Sequence, residues 1–230
     1  MRFVEISKPL ITQIISESLL VEAEGKNTHL EHLEDNIFNK GFPGAKEAID
    51  YLYSLHEMLE GHSKGAVSMT TKWDGAPAVI AGRDPESGKF FVGTKGVFAQ
   101  NPKLNFTVAD IKKNHPAEGL QEKLIAALKY LSKLKWNTVV QGDMLFTRSD
   151  LKEQTIDGTE YIIFQPNTIV YAVPKDSNLA KQILSSQIGI VWHTEYPGGP
   201  TLADTKAVFG FDSSQLGEAP GVWHRDARIV

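Results

Sequence analysis

Two short stretches of this chain hold residues whose chemistry exceeds what packing requires. The first is Lys72-Trp73-Asp74-Gly75. A lysine amine becomes a covalent nucleophile when its surroundings lower its pKa, and a neighbouring cation or metal favours that neutral form. In an extended chain, positions i and i+2 point to one side, so Lys72 and Asp74 are expected to face one ligand. Gly75 then lets the chain turn. The same four residues also suit a surface turn joining two strands. The second stretch is Val139-Val140-Gln141-Gly142-Asp143-Met144-Leu145-Phe146, a hydrophobic strand interrupted by a carboxylate. An unpaired charge inside such a strand is costly, so Asp143 reads as a working carboxylate. The alternative is a turn on an edge strand.

The surrounding pattern shows which elements must position these residues. Ser68–Thr71 and Ala78–Ala81 read as strands flanking the lysine, with a hairpin loop at Arg83–Lys89 and a returning strand at Phe90–Gly93. That strand ends in Thr94-Lys95-Gly96, a second lysine followed by glycine. Residues 100–115 read as polar and irregular, with Lys103, Lys112 and Lys113 available to phosphate or solvent. Pro116-Ala117-Glu118 opens an amphipathic helix to about Lys135, carrying Leu120, Leu124, Ala127, Leu128 and Leu131 on one face. Strands follow at Glu160–Gln165 and Thr168–Val173 after an Asp157-Gly158 turn, then a helix from Ser177 to Ser185. A core strand, Ile188–Thr194, and a last strand near Lys206–Phe211 complete the pattern.

The first 65 residues have a different character. Apolar periodicity predicts helices over Lys8–Glu24, over His29–Asn39 with Thr28 and Glu31 as a capping box, and over Ala45–Glu60, with a turn at Gly41–Gly44. His29, His32, His56 and His62 fit no zinc spacing. The expected organisation is a helical segment at 1–65, a core at 66–212 and a weakly specified tail at 213–230.

Composition sets the bounds. With 230 residues, 41% hydrophobic and 23% charged, the chain suits one large domain or a domain with an appendage. Having no cysteine, it forms neither disulfides nor thiolate metal sites. No apolar run is long enough to span a bilayer, and Met1–Glu5 does not open a signal peptide, so a soluble cytoplasmic protein with no membrane partner is expected. A net charge of −4 argues against a generic nucleic-acid coat. Residues 72–113, however, hold 7 Lys/Arg against 4 Asp/Glu, a local basic excess that coincides with the lysine motif.

The strand-borne Lys72-x-Asp74-Gly75, then Thr94-Lys95-Gly96, then Gly142-Asp143 in a hydrophobic strand, resemble the covalent nucleotidyltransferase superfamily of ATP-dependent DNA ligases, RNA ligases and mRNA capping enzymes. More closely, the chain resembles a family from T4-like tailed phages of marine bacteria whose members usually carry a provisional ligase label. That closer likeness rests on residues 27–35, 72–78, 91–95 and 164–168. The resemblance implies an α+β, ligase-type adenylation domain with two antiparallel sheets around a nucleotide cleft and an N-terminal helical appendage. It implies that Lys72 attacks the α-phosphate of ATP to give a lysyl-AMP, with Thr71, Trp73, Asp74 and Gly75 completing the nucleotide-binding motif. Lys95 would contact sugar or phosphate, Tyr171 would stack on adenine, and Lys206 stands in for the last lysine-containing motif. Asp143, in place of the usual glutamate, would bind Mg²⁺ or Mn²⁺.

Two positions depart from the superfamily pattern. Pro77 stands where an arginine is common, and Ile188 where a metal-binding glutamate usually opens the fourth motif. The expected function is therefore an ATP-dependent, ligase-like adenylyltransferase acting on nucleic-acid ends, such as nicked DNA or RNA, in an infected bacterial host. The competing expectations are a nucleotide- or nucleic-acid-binding phage protein without turnover, and a phage assembly factor that reuses the fold.

Overall fold

The computed structural model describes residues 33–62 and 70–228. The expected helix Lys8–Glu24, the Thr28 cap, His29, His32, and Ser68 and Met69 of the expected first strand lie outside these residues. The chain divides into two units, Met1–Val67 and Ser68–Val230.

In the first unit, α1 (Asp35–Lys40) is followed by α2 (Phe42–Leu59). The expected turn at Gly41–Gly44 is shorter than foreseen. Helix α2 starts at Phe42, with Pro43 in its first turn, where a missing N–H costs no helical hydrogen bond. His56 and His62 are exposed and each lies 3.5 Å from a Glu60 oxygen.

The second unit is built on a six-stranded sheet. Its strands are β1 (Ala78–Arg83), β2 (Phe90–Gly93), β3 (Val139–Thr147), β7 (Ile188–Tyr196), β8 (Val208–Phe209) and β9 (Val222–Asp226). The order runs β2-β1-β3-β7-β8, with β9 also on β7. A three-stranded antiparallel sheet follows the order β4-β5-β6: β4 (Lys152–Ile156), β5 (Thr159–Phe164) and β6 (Tyr171–Pro174). The protein is thus α+β with two sheets. The expectation of two purely antiparallel sheets is corrected in the larger one, where β9 pairs with β7 in parallel, Val222 opposite Ile188. The supposed tail therefore supplies a 3₁₀ turn at Ser213–Leu216 and a strand of the main sheet.

Strand alternation divides the six-stranded sheet into two faces. One face carries Val79, Ala81, Val140, Met144, Ile190 and Trp192 against Ile111, Leu124, Ala127 and Leu131. The last four belong to α3 (Val108–Asn114) and α4 (Glu118–Leu131). Helix α3 replaces the irregular stretch expected there. It opens on a reciprocal capping box in which Thr107 and Asp110 satisfy each other's backbone N–H groups. Burying each large apolar side chain here contributes roughly 1.5–3 kcal/mol.

The opposite face is apolar only at its two ends. At one end, Ile80, Val139 and Tyr196 join Phe91, Val97 and Leu202. At the other, Leu145 and Val191 join Ile162 and Phe164 of the smaller sheet, and Ala180 and Ile183 of α5 (Asn178–Ser185). Helix α5 begins as the sequence predicts, with the Ser177 hydroxyl accepting from the Ala180 N–H at 3.1 Å.

Candidate functional site

Between those two apolar ends, the same face of the sheet is polar. In the register, Ile80, Gln141 and Thr194 form one row across β1, β3 and β7, and Ala78, Asp143 and Val191 form another. A bulge at Gln141–Gly142 leaves His193 without an opposite residue. It brings the His193 ring beside the Thr194 side chain, with His193 Nδ1 2.7 Å from Thr194 Oγ1. The floor is therefore the half-buried Gln141, Asp143 and His193, with Thr194 fully buried among them. Tyr196 donates its hydroxyl to Gln141 Oε1 at 2.6 Å, and burial pushes its phenol up to about 12. Asp143 is a carboxylate on a central strand, which rules out the edge-strand turn.

Lys72–Gly75 enters this floor as an irregular, extended segment rather than the end of a full strand. Upstream, Thr70 forms a single bridge to Arg228, and the Thr71 N–H donates to the Ala227 carbonyl at 2.6 Å. Downstream, the Ala76 N–H donates to the Met144 carbonyl at 2.9 Å, and the Met144 N–H to the Pro77 carbonyl at 3.1 Å. The segment thus lies directly on β3. Gly75 is required there: a Cβ would stand 2.5 Å from Asp143 Cβ and 2.9 Å from the Met144 carbonyl oxygen. Gly142 answers a similar need on the other side of β3, where a Cβ would meet the Val191 carbonyl at 2.5 Å. The lysine motif and the Asp143 motif, 71 residues apart from Lys72 to Asp143, are packed backbone against backbone.

Lys72 is exposed at this entry. The Asp74 carboxylate is committed to partners within the protein. It accepts from Asn167 Nδ2, from the Thr168 N–H and hydroxyl, and from the Ile169 N–H, each at 2.7 Å. The Thr168 hydroxyl foremost, then the Ile169 N–H and the Asn167 amide, hold it down to about 2. Asp74 is thus a clasp on the loop between β5 and β6. Beside it, Trp73 stacks on Tyr171 with ring centroids 5.6 Å apart, and Tyr171 stacks on Phe164 at 5.3 Å. The Tyr171 hydroxyl accepts from the Asp74 N–H at 2.9 Å. The ring foreseen against adenine is packed among protein aromatics and anchors the lysine motif.

The other expected residues are distributed around this floor. Lys95 is exposed at the start of a 3₁₀ turn, Lys95–Phe98, two residues past Gly93. Gly93 is opposite Ile80 and β2 is antiparallel to β1, so Lys95 emerges at the end where Lys72–Gly75 enters. Lys206 is exposed just before β8, which joins β7 at Thr194–Glu195 on the sheet's far edge. The register does not set it beside Asp143. Ile188 is fully buried in the cluster on the helical face, with no access to the floor. Pro77 follows Ala76 through a cis peptide bond.

Four residues take part that were not anticipated. Lys123, half-buried on α4, donates to the Ala76 carbonyl at 3.1 Å and so tethers the motif from the helical side. Asn167 and Thr168 form the clasp around Asp74. His193 Nε2 lies 3.9 Å from Asp143 Oδ1. Among the described residues, no three His, Asp or Glu side chains converge as a complete metal cage, and no helix is long and apolar enough to cross a membrane.

A family model described as a family of unknown function (DUF6267) matches residues 27–229. That match takes in most of the chain, and the protein belongs to this family. No curated protein and no solved structure matches.

Proposed function

We propose that this DUF6267 protein is an ATP-dependent, ligase-like adenylyltransferase in which Lys72 carries AMP and passes it to a nucleic-acid end. The observation that carries the reading is the seating of the Lys72–Gly75 segment on β3 at Asp143, with Gly75 touching the Asp143 backbone. The Lys72 segment, Asp143 and the exposed Lys95 lie toward the same end of β1, β3 and β2 in the register, beside a polar strip of the sheet. Supporting this is the excess of lysine and arginine in residues 72–113.

The chemistry then assigns work to each part. The Lys72 amine attacks the α-phosphorus of ATP, a nitrogen–phosphorus bond forms, the bond to pyrophosphate breaks, and the amine proton leaves. Lys95 meets phosphate charge at the mouth of the cleft. Asp74, Trp73 and Tyr171 fix the backbone that bears Lys72, a positioning role that needs no contact with nucleotide. Exposed Ile169 and Val170, on the loop Asp74 clasps, offer apolar surface to the base. The Asp143 carboxylate fits a divalent cation: it lies beside His193 on the polar strip of the sheet, is mostly buried and accepts no hydrogen bond within the described residues. Such a cation, Mg²⁺ or Mn²⁺, would neutralise triphosphate charge when bound.

A second reading is favoured by Ile188. Because it is buried on the other face, no carboxylate enters the cleft from that position, which suits nucleotide binding without turnover. Incubation with α-labelled ATP and Mg²⁺ or Mn²⁺, followed by denaturation, separates the two. The account predicts label on the protein that disappears in Lys72→Ala. Bound ATP with no label selects the second reading, and neither binding nor label with ATP or GTP contradicts both. Nicked DNA and RNA ends, added to the labelled protein, then identify the acceptor.

A further inference from the structure

We infer that His193 and Asp143 together form a nitrogen–oxygen half-site for a divalent cation, one that favours Mn²⁺ over Mg²⁺. The inference rests on the nucleotide-site reading for its biological use, but the metal site itself stands on the geometry of the floor. His193 and Asp143 have side chains only 17% and 21% exposed, on the adjacent central strands β7 and β3, with their polar atoms turned to one another. Their nearest atoms are 3.9 Å apart. That is too long for a hydrogen bond; two atoms that each bind one cation at about 2.1 Å stand about 3.0–3.4 Å apart at octahedral or tetrahedral angles, so the pair closes by roughly 0.5–0.9 Å to share an ion.

The ring is already oriented for this. His193 Nδ1 lies 2.7 Å from Thr194 Oγ1, and in the tautomer with its proton on Nδ1 the hydroxyl accepts and Nε2, 3.9 Å from Asp143 Oδ1, keeps its lone pair for a metal. A metal-bound imidazole needs such an outer partner to fix its tautomer and plane. Thr194 is itself buried on the strand, at 2% exposure, so it cannot swing away. The bulge opposite Gln141 is what makes this possible, since it brings the His193 ring to the side chain of its sequence neighbour. Two protein ligands leave open positions for phosphate oxygens and water, as a cation serving a nucleotide requires. An imidazole ligand suits Mn²⁺ and later transition ions better than the oxygen-seeking Mg²⁺.

The test uses the full chain and Mn²⁺ alone, without nucleotide, read by electron paramagnetic resonance of free Mn²⁺ and by calorimetry. The wild-type protein should bind Mn²⁺ and prefer it to Mg²⁺ in competition. His193→Ala and Asp143→Asn should each weaken binding by at least tenfold. Thr194→Val, which keeps the ring but removes its partner, should weaken it severalfold. His193→Gln serves where alanine disturbs folding, as judged by thermal melting. Absence of Mn²⁺ binding in the wild type, or equal binding in wild type and a folded His193 variant, overturns the inference. Because no ATP is present, that result is independent of labelling at Lys72: metal binding without label sinks the transferase reading alone, and label without His193-dependent metal binding sinks this one alone.

Discussion

Gly75→Ala is the sharpest structural perturbation of the site. The glycine φ is negative, so alanine can adopt the backbone there and the cost is purely steric. The new Cβ would sit 2.5 Å from Asp143 Cβ, 2.9 Å from the Met144 carbonyl oxygen and 3.1 Å from the Asp143 carbonyl carbon. None of these is the end of a flexible side chain. All belong to β3, which is paired on both sides. The central strand cannot yield, so the Lys72–Gly75 segment must lift, breaking the paired hydrogen bonds between Ala76, Pro77 and Met144. Overpacking of this kind costs about 3 kcal/mol, the upper part of its usual range. For a unit of this size that lowers the melting temperature by about 6–12 °C. Thermal melting followed by circular dichroism reads the stability, and labelling by ATP reads the site. The expected result is a folded protein with a lower melting temperature and strongly reduced label. Unchanged melting together with wild-type labelling would refute the argument that the motif is seated on Asp143.

Other outcomes follow from the same geometry. Asp74 has its folded pKa depressed to about 2, so its contribution is fully present above the unfolded value of about 3.9 and is lost as pH falls toward 2. The stability gap between wild type and Asp74→Asn, measured by urea unfolding, should be widest above about pH 4 and should close as the pH falls toward 2. Tyr171→Phe removes the acceptor of the Asp74 N–H and should cost about 1 kcal/mol in urea unfolding while leaving the aromatic stack intact. Lys123→Met loses the tether to the Ala76 carbonyl and should cost about 1 kcal/mol, with slower labelling at saturating ATP.

The parts of the fold that were legible in the sequence are those whose apolar pattern is set by burial on one side. Helix α4 shows its stripe because Leu124, Ala127 and Leu131 face the sheet. The strand through Asp143 reads as buried because its neighbours Met144, Leu145 and Phe146 are packed on both faces. The elements that escaped carry no such pattern. Strand β4 is exposed at all five positions, so nothing in Lys152–Ile156 alternates. Helix α3 buries Ile111 alone, and its capping box Thr107-x-x-Asp110 was the one available signal. Strand β9 follows a Gly- and Pro-rich approach and pairs with a strand more than 30 residues earlier, a long-range choice that local pattern cannot express.

The site divides in the same way. Lys72, Asp143 and Lys95 announce themselves by residue type in an extended context. The work of Asp74 does not, because its four donors come from residues 93 to 95 positions later in the chain. A period of two places His193 and Thr194 on opposite faces, and only the bulge brings their side chains together. Local pattern picked out Lys72 and Asp143; the clasp, the tether and the histidine are products of tertiary pairing.

The most direct test of the central claim is the mass of the intact protein after incubation with ATP and Mn²⁺, followed by peptide mapping. The account predicts a single adduct with the mass of one AMP, located on Lys72 and absent from Lys72→Arg. An unmodified protein under saturating ATP, or an adduct on another residue, would contradict it.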